Sequence, residues 1–351
     1  MNVTPIPATE NNIAHAARAL VAGELVAFPT ETVYGLGADA TNAHAVASIF
    51  AAKGRPTFNP LIIHLPSAEA AWQWGACTPA AERLAAAFWP GGLTLVLEKT
   101  AHREPRLCDL VSAGLSTVAI RVPAHRIAHA LLEQSGVPVA APSANRSGHV
   151  SATTADHVAA DFSADLDDGG GRTTRIGAHR RPVPSIILDD GPCPLGLEST
   201  ILDVRTDQPV LLRPGAVTRE AIMEKTGLII QPHTNETPPA TDERSTTART
   251  SPGQLESHYA PAKKVHLSVD EPTKQQAYLA FGPGPSAAVE AAQIINLSPA
   301  GDLTEAAANL FAALRALDDG PGNSIAVASI PDQGLGRAIN DRLRRAAAPP
   351  S

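Results

Sequence analysis

Hydrophobic positions in this chain fall into short apolar runs closed by proline or glycine, alternating with stretches at helical spacing. Residues 24–28 form a five-residue run between Gly23 and Pro29, with the length and flanks of a buried strand. They lead into residues 30–39, read as a loop whose Gly35 and Gly37 let backbone approach a ligand closely. From about Asn42, the residues Ala43, Val46, Ala47 and Phe50 recur at helical spacing. Lys53-Gly54-Arg55-Pro56 ends that helix, because Gly54 suits the left-handed position after it and Pro56 cannot continue it. Two cations thus stand where a helix stops, opposite a hydroxyl-bearing loop, an arrangement suited to a multiply charged anion.

The same patterning predicts an amphipathic helix over 11–22 and further helices over 68–74, 79–88, 127–135 and 218–226. Strands are expected at 61–65, 93–98, 117–122, 137–141, 185–188, 199–204 and 210–212. The irregular alternation, with proline-bearing loops after the strands, predicts a mixed, twisted α/β sheet rather than a simple doubly wound one. Residues 231–261 turn to Thr, Pro, Glu, Ser and Arg, the composition of a linker. A smaller α/β unit follows, with strands at 264–269, 277–281, 293–296 and 324–329 and helices at 303–318 and 336–347.

A chain of 351 residues accommodates two such units. Its 44% hydrophobic and 18% charged residues are those of an ordinary globular protein. A net charge of −7 excludes a general polyanion-binding surface, so any anion site must be a local cluster of Arg and Lys. Cys77, Cys108 and Cys193 are too few and too scattered for a disulfide framework or a zinc site. No apolar run approaches the roughly 18 residues that a membrane helix needs, and residues 1–22 lack a secretory pattern. A cytoplasmic protein is expected.

No P-loop, nucleophile elbow, HExxH or dinucleotide-binding glycine pattern occurs. What remains is a set of polar residues at strand ends: Thr32 and Tyr34; Lys53, Arg55 and Asn59; His64; Arg121; Ser143 and Asn145; Ser151; Ser199; and Arg213. Each alone has a bland explanation. An arginine at a strand end is usually solvated or salt-bridged, a histidine in an apolar strand is usually a hydrogen-bonded core residue, and Glu198-Ser199-Thr200 reads as a strand entry. Together they repeatedly end strands with anion-binding or hydroxyl groups, where α/β folds place ligands.

The ordered motifs PTETVYGLG, KGRP followed by NPL, TVAIRVP, APSANRSG, GLESTI and RPG closely resemble the YrdC-type L-threonylcarbamoyladenylate synthase family. The segment SPGQLESHYAP and the small α/β tail resemble its long, two-domain form. The resemblance implies a large, twisted mixed-sheet α/β domain with a concave site over 8–227. It also implies a linker over 228–262 and a smaller Rossmann-like α/β C-terminal domain over 263–348. The activity it implies joins L-threonine, bicarbonate and ATP into threonylcarbamoyl-AMP and releases pyrophosphate. The product would pass to a downstream tRNA threonylcarbamoyl transferase complex, for N6-threonylcarbamoyladenosine in tRNAs reading ANN codons. Carried over by motif, Lys53 and Arg55 would be the catalytic cations. Thr32, His64, Arg121, Ser199 and the backbone near Ala141 would hold L-threonine. Arg55, Asn59, Thr117, Ser143, Asn145, Ser151, Arg213 and Tyr259 would surround ATP. Tyr259 would fold over the site from the linker, and Mg2+ would be held largely by ATP phosphates, with no metal site of the protein's own.

Two departures from the family pattern stand out. Residues 169–184 are longer and more basic than expected, with Arg172, Arg175, Arg180 and Arg181, and read as a surface insert. The linker motif carries Glu256 where some family members are more basic. Two other functions compete. One is a double-stranded RNA or tRNA-binding module, disfavoured by the net charge of −7 and by the lack of an RRM or KH pattern. The other is a carbamoyl-phosphate-using subdomain like that of hydrogenase maturation proteins, whose zinc-finger and acylphosphatase segments this chain lacks.

Overall fold

The computed structural model describes residues 3–100, 105–163, 181–232, 258–284 and 290–349. Its first elements are set by their caps. The chain opens with β1 (Ile6–Pro7) and α1 (Glu10–Val21), where the Thr9 side chain accepts from the Asn12 N–H. β2 (Val26–Phe28) is fully buried. The region expected to be a loop through residue 39 is a loop only as far as Tyr34, because β3 (Gly35–Asp39) pairs antiparallel with β2. Its glycines serve the sheet: a Cβ at Gly37 would lie 2.8 Å from the Phe28 ring and 2.9 Å from Val139. α2 (Ala43–Lys53) behaves as its sequence predicts, capped by Asn42 and ended by Gly54 at φ 65°.

The order continues with β4 (Ile62–His64), α3 (Ala68–Ala71), α4 (Pro79–Phe88), β5 (Leu93–Glu98), α5 (Asp109–Ser112), β6 (Thr117–Arg121), α6 (Arg126–Ser135) and β7 (Val139–Ala140). Next come α7 (Ala155–Ser163), β8 (Ile186–Asp189), β9 (Thr200–Asp203), β10 (Val210–Arg213), α8 (Arg219–Thr226) and β11 (Gln231–Pro232). α7 was not expected, since it begins directly after a Ser/Thr run that reads as loop, yet it buries Ala155, Val158 and Phe162. Among the described residues these strands form one mixed, eleven-stranded sheet in the order β1-β8-β2-β3-β7-β4-β6-β5-β9-β10-β11.

The register of its centre builds the site. β4 runs parallel to β6 with His64 opposite Arg121, β5 runs antiparallel to β6 with Thr94 opposite Arg121, and β5 pairs parallel with β9. Side chains alternate across a sheet. Ile63, Leu95, Leu97, Val118, Ile120 and Leu202 therefore enter the main core, packed under helices. Ile62, Val96, Ala119 and Ile201 form a small apolar floor on the opposite face. His64, Arg121 and Thr94 share that second face and end it in polar groups.

The remaining chain folds into β12 (Lys264–His266), β13 (Gln276–Ala280), β14 (Gln293–Asn296), α9 (Leu303–Asp319), β15 (Ser324–Val327) and α10 (Leu335–Ala347). The sheet is all parallel, in the order β12-β15-β13-β14. Its core, with Leu310, Phe311, Leu314, Ile339 and Leu343, also takes in Val33, Val150 and Leu197 of the first unit, so the two sheets share packing. Polar contacts join them as well. Arg315 of α9 donates to both Asp161 carboxylate oxygens at 2.9 and 2.8 Å, and Arg342 of α10 donates to Glu198 at 2.9 Å. Among the described residues, no helix is long and apolar enough to cross a membrane.

Candidate active site

The second face of the sheet opens into a cleft enclosing about 530 Å³, part of it open to solvent. At one end, the Thr30 hydroxyl accepts the N–H groups of Thr32 (3.1 Å) and Val33 (3.2 Å), closing a tight turn that fixes the Thr32 hydroxyl. That hydroxyl accepts from Arg121 Nη1 at 2.8 Å. Arg121 also donates through Nη2 to Glu31 Oε1 at 2.6 Å and through Nε to the Gly91 carbonyl at 3.2 Å. Its fork is thus oriented by three partners, and a guanidinium has N–H groups to spare beyond three. Beside it, His64 stands edge-on to Phe28, and its Nδ1 is buried without a hydrogen-bond partner. Burial, helped by the Arg121 cation, pushes the His64 pKa down to about 3, so its ring is neutral at ordinary pH.

Cations gather at the other end. Arg55 follows the helix stop and donates to the Asn59 carbonyl (3.3 Å) and the Pro60 carbonyl (2.9 Å). Burial lowers its pKa to about 10, with Arg213 adding repulsion, so it remains charged. Arg213, at the end of β10, donates to the Ser199 carbonyl (2.9 Å) and hydroxyl (3.2 Å), and that hydroxyl also bonds Thr94 at 2.7 Å. Lys53 Nζ donates to the Ser143 carbonyl at 2.6 Å and to the Asn145 carbonyl, bracing the loop after β7 from behind. Burial, then Arg55, holds its pKa well below that of a free lysine. Among the described residues, Lys53, Arg55 and Arg213 are all buried and none forms an ion pair with a carboxylate.

The cavity wall brings together Thr32, Arg55, His64, Arg121, Ala141, Ser143, Ser199, Arg213 and Tyr259 from the expected set. Lys53, Asn59, Asn145 and Ser151 stand just behind that wall. Asn59 has both side-chain polar atoms buried without partners, and Asn145 has its Oδ1 in the same condition. Orphaned groups of this kind call for an explanation such as a missing ligand. Ser151 donates to Glu198 Oε1 at 2.5 Å. Thr117 lies at the far end of β6, opposite Glu98, on the same sheet face as Ala119 and Arg121 but outside the wall.

Two polar wall residues lie outside the expected set. Glu198 reads in the sequence as a strand entry, yet it lines the cavity. His258 enters beside Tyr259, their rings 4.1 Å apart and edge-on, and the dipeptide motif was the signal that pointed to it. Tyr259 adopts φ 62° and stacks on Phe311 of α9 at 5.5 Å. Residues 233–257 of the linker and most of the arginine-rich insert, including Arg172, Arg175 and Arg180, lie outside the described residues.

A mixed α/β sheet with buried cations at one end of a polar cavity and an oriented guanidinium, hydroxyl and neutral imidazole at the other has the build of an enzyme. A family model described as "Telomere recombination" matches residues 18–215, and one described as "Threonylcarbamoyl-AMP synthase, C-terminal domain" matches residues 217–348. The threonylcarbamoyl-AMP synthase of Bacillus subtilis is 40% identical over 349 residues, covering 95% of this chain and 92% of its own. That of Pyrococcus abyssi is 40% identical, covering 92% of this chain and 90% of its own. The crystal structure of P. abyssi Sua5 complexed with L-threonine superposes with a TM-score of 0.78 at 38% identity, covering 95% of this chain and 94% of that one. The chain belongs to the threonylcarbamoyl-AMP synthase family.

Proposed function

We propose that this cavity makes L-threonylcarbamoyl-AMP from L-threonine, bicarbonate and ATP, releasing pyrophosphate. The observation that carries this assignment is the pair of buried cations without a carboxylate ion-pair partner, Arg55 and Arg213, on the same cavity wall as Arg121, with Lys53 just behind them. The amine of threonine takes up the carboxyl group of bicarbonate with loss of water. A carbamate oxygen then attacks the α-phosphorus, and the bond to the β-phosphate oxygen breaks. The substrate supplies the nucleophile, so the protein's task is positioning and charge stabilisation. Positioning alone is worth about 7–11 kcal/mol in well-oriented cases.

In this scheme Thr32, His64, Arg121, Ser199 and the Ala141 backbone hold threonine, with the spare N–H groups of Arg121 on its carboxylate. Arg55 and Arg213 face the phosphates, where cations offset the charge that develops in transfer. Lys53 acts on the same phosphates or through the loop it braces. Ser143, Asn145, Asn59 and Ser151 frame the nucleotide, Thr117 meets its far end, and Tyr259 covers it. The catalytic unit is assigned to residues 8–227, the linker to 228–262 and the C-terminal unit to 263–348. Among the described residues, no cluster of three or more His, Cys, Asp or Glu could hold a metal. Glu198, on the wall, is engaged by Arg342 and Ser151. Mg2+ would arrive on the ATP phosphates. The product is passed on for threonylcarbamoylation of ANN-decoding tRNAs in the cytoplasm. The RNA-binding alternative needs cations displayed on a surface, whereas Lys53, Arg55, Arg121 and Arg213 are buried.

Pyrophosphate release from ATP should require both L-threonine and bicarbonate. Turnover indifferent to threonine would refute the assignment.

A further inference from the structure

α10 buries Ala338, Ile339, Leu343 and Ala346 along one stripe, and an arginine, Arg342, occupies a position on that stripe with no exposed surface. A buried arginine is costly unless its fork is filled. Arg342 Nε donates to Glu198 Oε2 at 2.9 Å, and Nη1 donates to the Pro214 carbonyl at 2.9 Å and to Asp341 at 2.7 Å, while Nη2 is buried without a hydrogen-bond partner. Its guanidinium carbon also lies 5.3 Å from the centre of the Tyr259 ring, within cation–π range. A residue of the C-terminal unit thus grips three segments at the cavity: the Glu198 turn, the chain after Arg213, and the end of the linker. Two of its partners, Glu198 and Tyr259, line the cavity, and it does not.

We propose that Arg342 is a positioning residue for the synthase reaction, lent to the pocket by the C-terminal unit: it holds the Glu198 carboxylate and the Tyr259 ring in the places from which they face the nucleotide end of the cavity. This rests on the cavity being the synthase site. The fixed carboxylate in turn accepts the Ser151 hydroxyl, and the Glu198 carbonyl accepts the Ala216 N–H at 3.0 Å, so its orientation propagates to the turn that follows Arg213. The charged and titratable groups around Glu198 are Arg342 and Asp341 of α10, Arg213 of β10, and His258 and Tyr259 at the linker's end. Burial pushes the Glu198 carboxyl up, and Arg342, followed by Arg213 and the Ser151 hydroxyl, more than reverses this and keeps it an anion. Without Arg342, only Arg213 and the Ser151 hydroxyl would oppose burial, so Glu198 would take up a proton at higher pH than in the wild type.

The test uses the full-length chain and pyrophosphate release between pH 5.5 and 9. Arg342→Met should lower kcat/KM for ATP by about 100-fold, the scale for truncating one partner of a buried, hydrogen-bonded charge pair. The KM for threonine should change less than about threefold, because the lost contacts lie at the nucleotide end. The variant should also gain an acid limb in its pH profile that wild type lacks, and adding Glu198→Gln should abolish that limb. Arg337→Ala, which breaks the exposed Arg337–Glu220 pair between the same two units, should leave rate and profile unchanged. If Arg342→Met does not fold, Arg342→Lys keeps the charge but not the fork, and should still lose about 10-fold at near-wild-type Tm. Wild-type kcat/KM in either Arg342 variant, or a loss in Arg342→Met with no new acid limb, would overturn the proposal. A wild-type enzyme without threonine-dependent turnover would overturn the functional assignment and this inference together, and would be seen before any variant is made.

Discussion

Replacing Arg121 by alanine tests the threonine end most directly, because that side chain has two separable tasks. It pairs with Glu31 at 2.6 Å, and Glu31 is itself buried and also accepts the Ala124 N–H at 3.1 Å. It also offers its remaining N–H groups to the cavity. Losing a charge-assisted hydrogen bond to the substrate carboxylate is worth about 1.5–3 kcal/mol, which is about 10- to 150-fold in affinity. The KM for threonine should rise by that factor while the KM for ATP stays within about threefold. The second task appears as stability: Glu31 left buried without its cation costs about 3–5 kcal/mol. The double variant Arg121→Ala with Glu31→Gln removes that charge, so it should recover most of the lost denaturation midpoint without recovering threonine affinity. The assay is pyrophosphate release with threonine varied at saturating ATP and the reverse, alongside urea unfolding. Equal rises in the two KM values, or restored threonine affinity in the double variant, would refute the placement of the carboxylate.

ATP should raise the Tm of the free protein by filling the cluster of Lys53, Arg55 and Arg213, and Lys53→Met should shrink that rise and lower kcat by about 100-fold or more; a full shift in the variant would remove Lys53 from phosphate binding. His64 has a folded pKa of about 3, below that of the unfolded chain, so the unfolded state binds more protons between the two values. Stability should therefore fall as pH drops from about 6 to 4, and His64→Gln should flatten that slope by up to about 1.4 kcal/mol per pH unit, read from urea midpoints. Gly37→Ala should destabilise by about 1–3 kcal/mol through the Phe28 and Val139 contacts while leaving both KM values unchanged at low temperature. A raised KM there would show that the glycine admits a ligand instead.

Much of this was legible because the chain writes its punctuation locally. Asn42, Gly54, Thr218 and the β-branched run at 117–121 each specify their own geometry, and the structure follows them. β3 was lost to the loop because two glycines and a buried aspartate mimic a turn. The need for small size at Gly37 comes from Phe28 and Val139, the latter 102 residues further along the chain. Among the candidate site residues, the motif-borne ones were legible through the family resemblance of the motifs that carry them, since each residue type alone at a strand end is ordinary. Glu198 was missed because its value lies in a partner 144 residues away on a helix of the C-terminal unit. Arg342 left a readable trace, a cation on an otherwise apolar helical stripe. That trace says the arginine is buried, not what it grips.

The buried cations also explain why the two units share a core. Holding Lys53, Arg55 and Arg213 dehydrated and without carboxylate partners opposes folding, as their lowered pKa values express. Pairing each with its own carboxylate would remove that cost and with it the affinity for a polyanion. The alternative is stabilisation from elsewhere, at a place that also borders the pocket. Val33 follows Thr32, Val150 precedes Ser151 and Leu197 precedes Glu198, and all three are buried in the core of the C-terminal unit with Tyr259 and Phe311. Apolar burial at those neighbours contributes favourable free energy of about 1.5–3 kcal/mol for each large side chain. The C-terminal unit thereby holds the wall of a pocket whose charges, left to themselves, would push it apart.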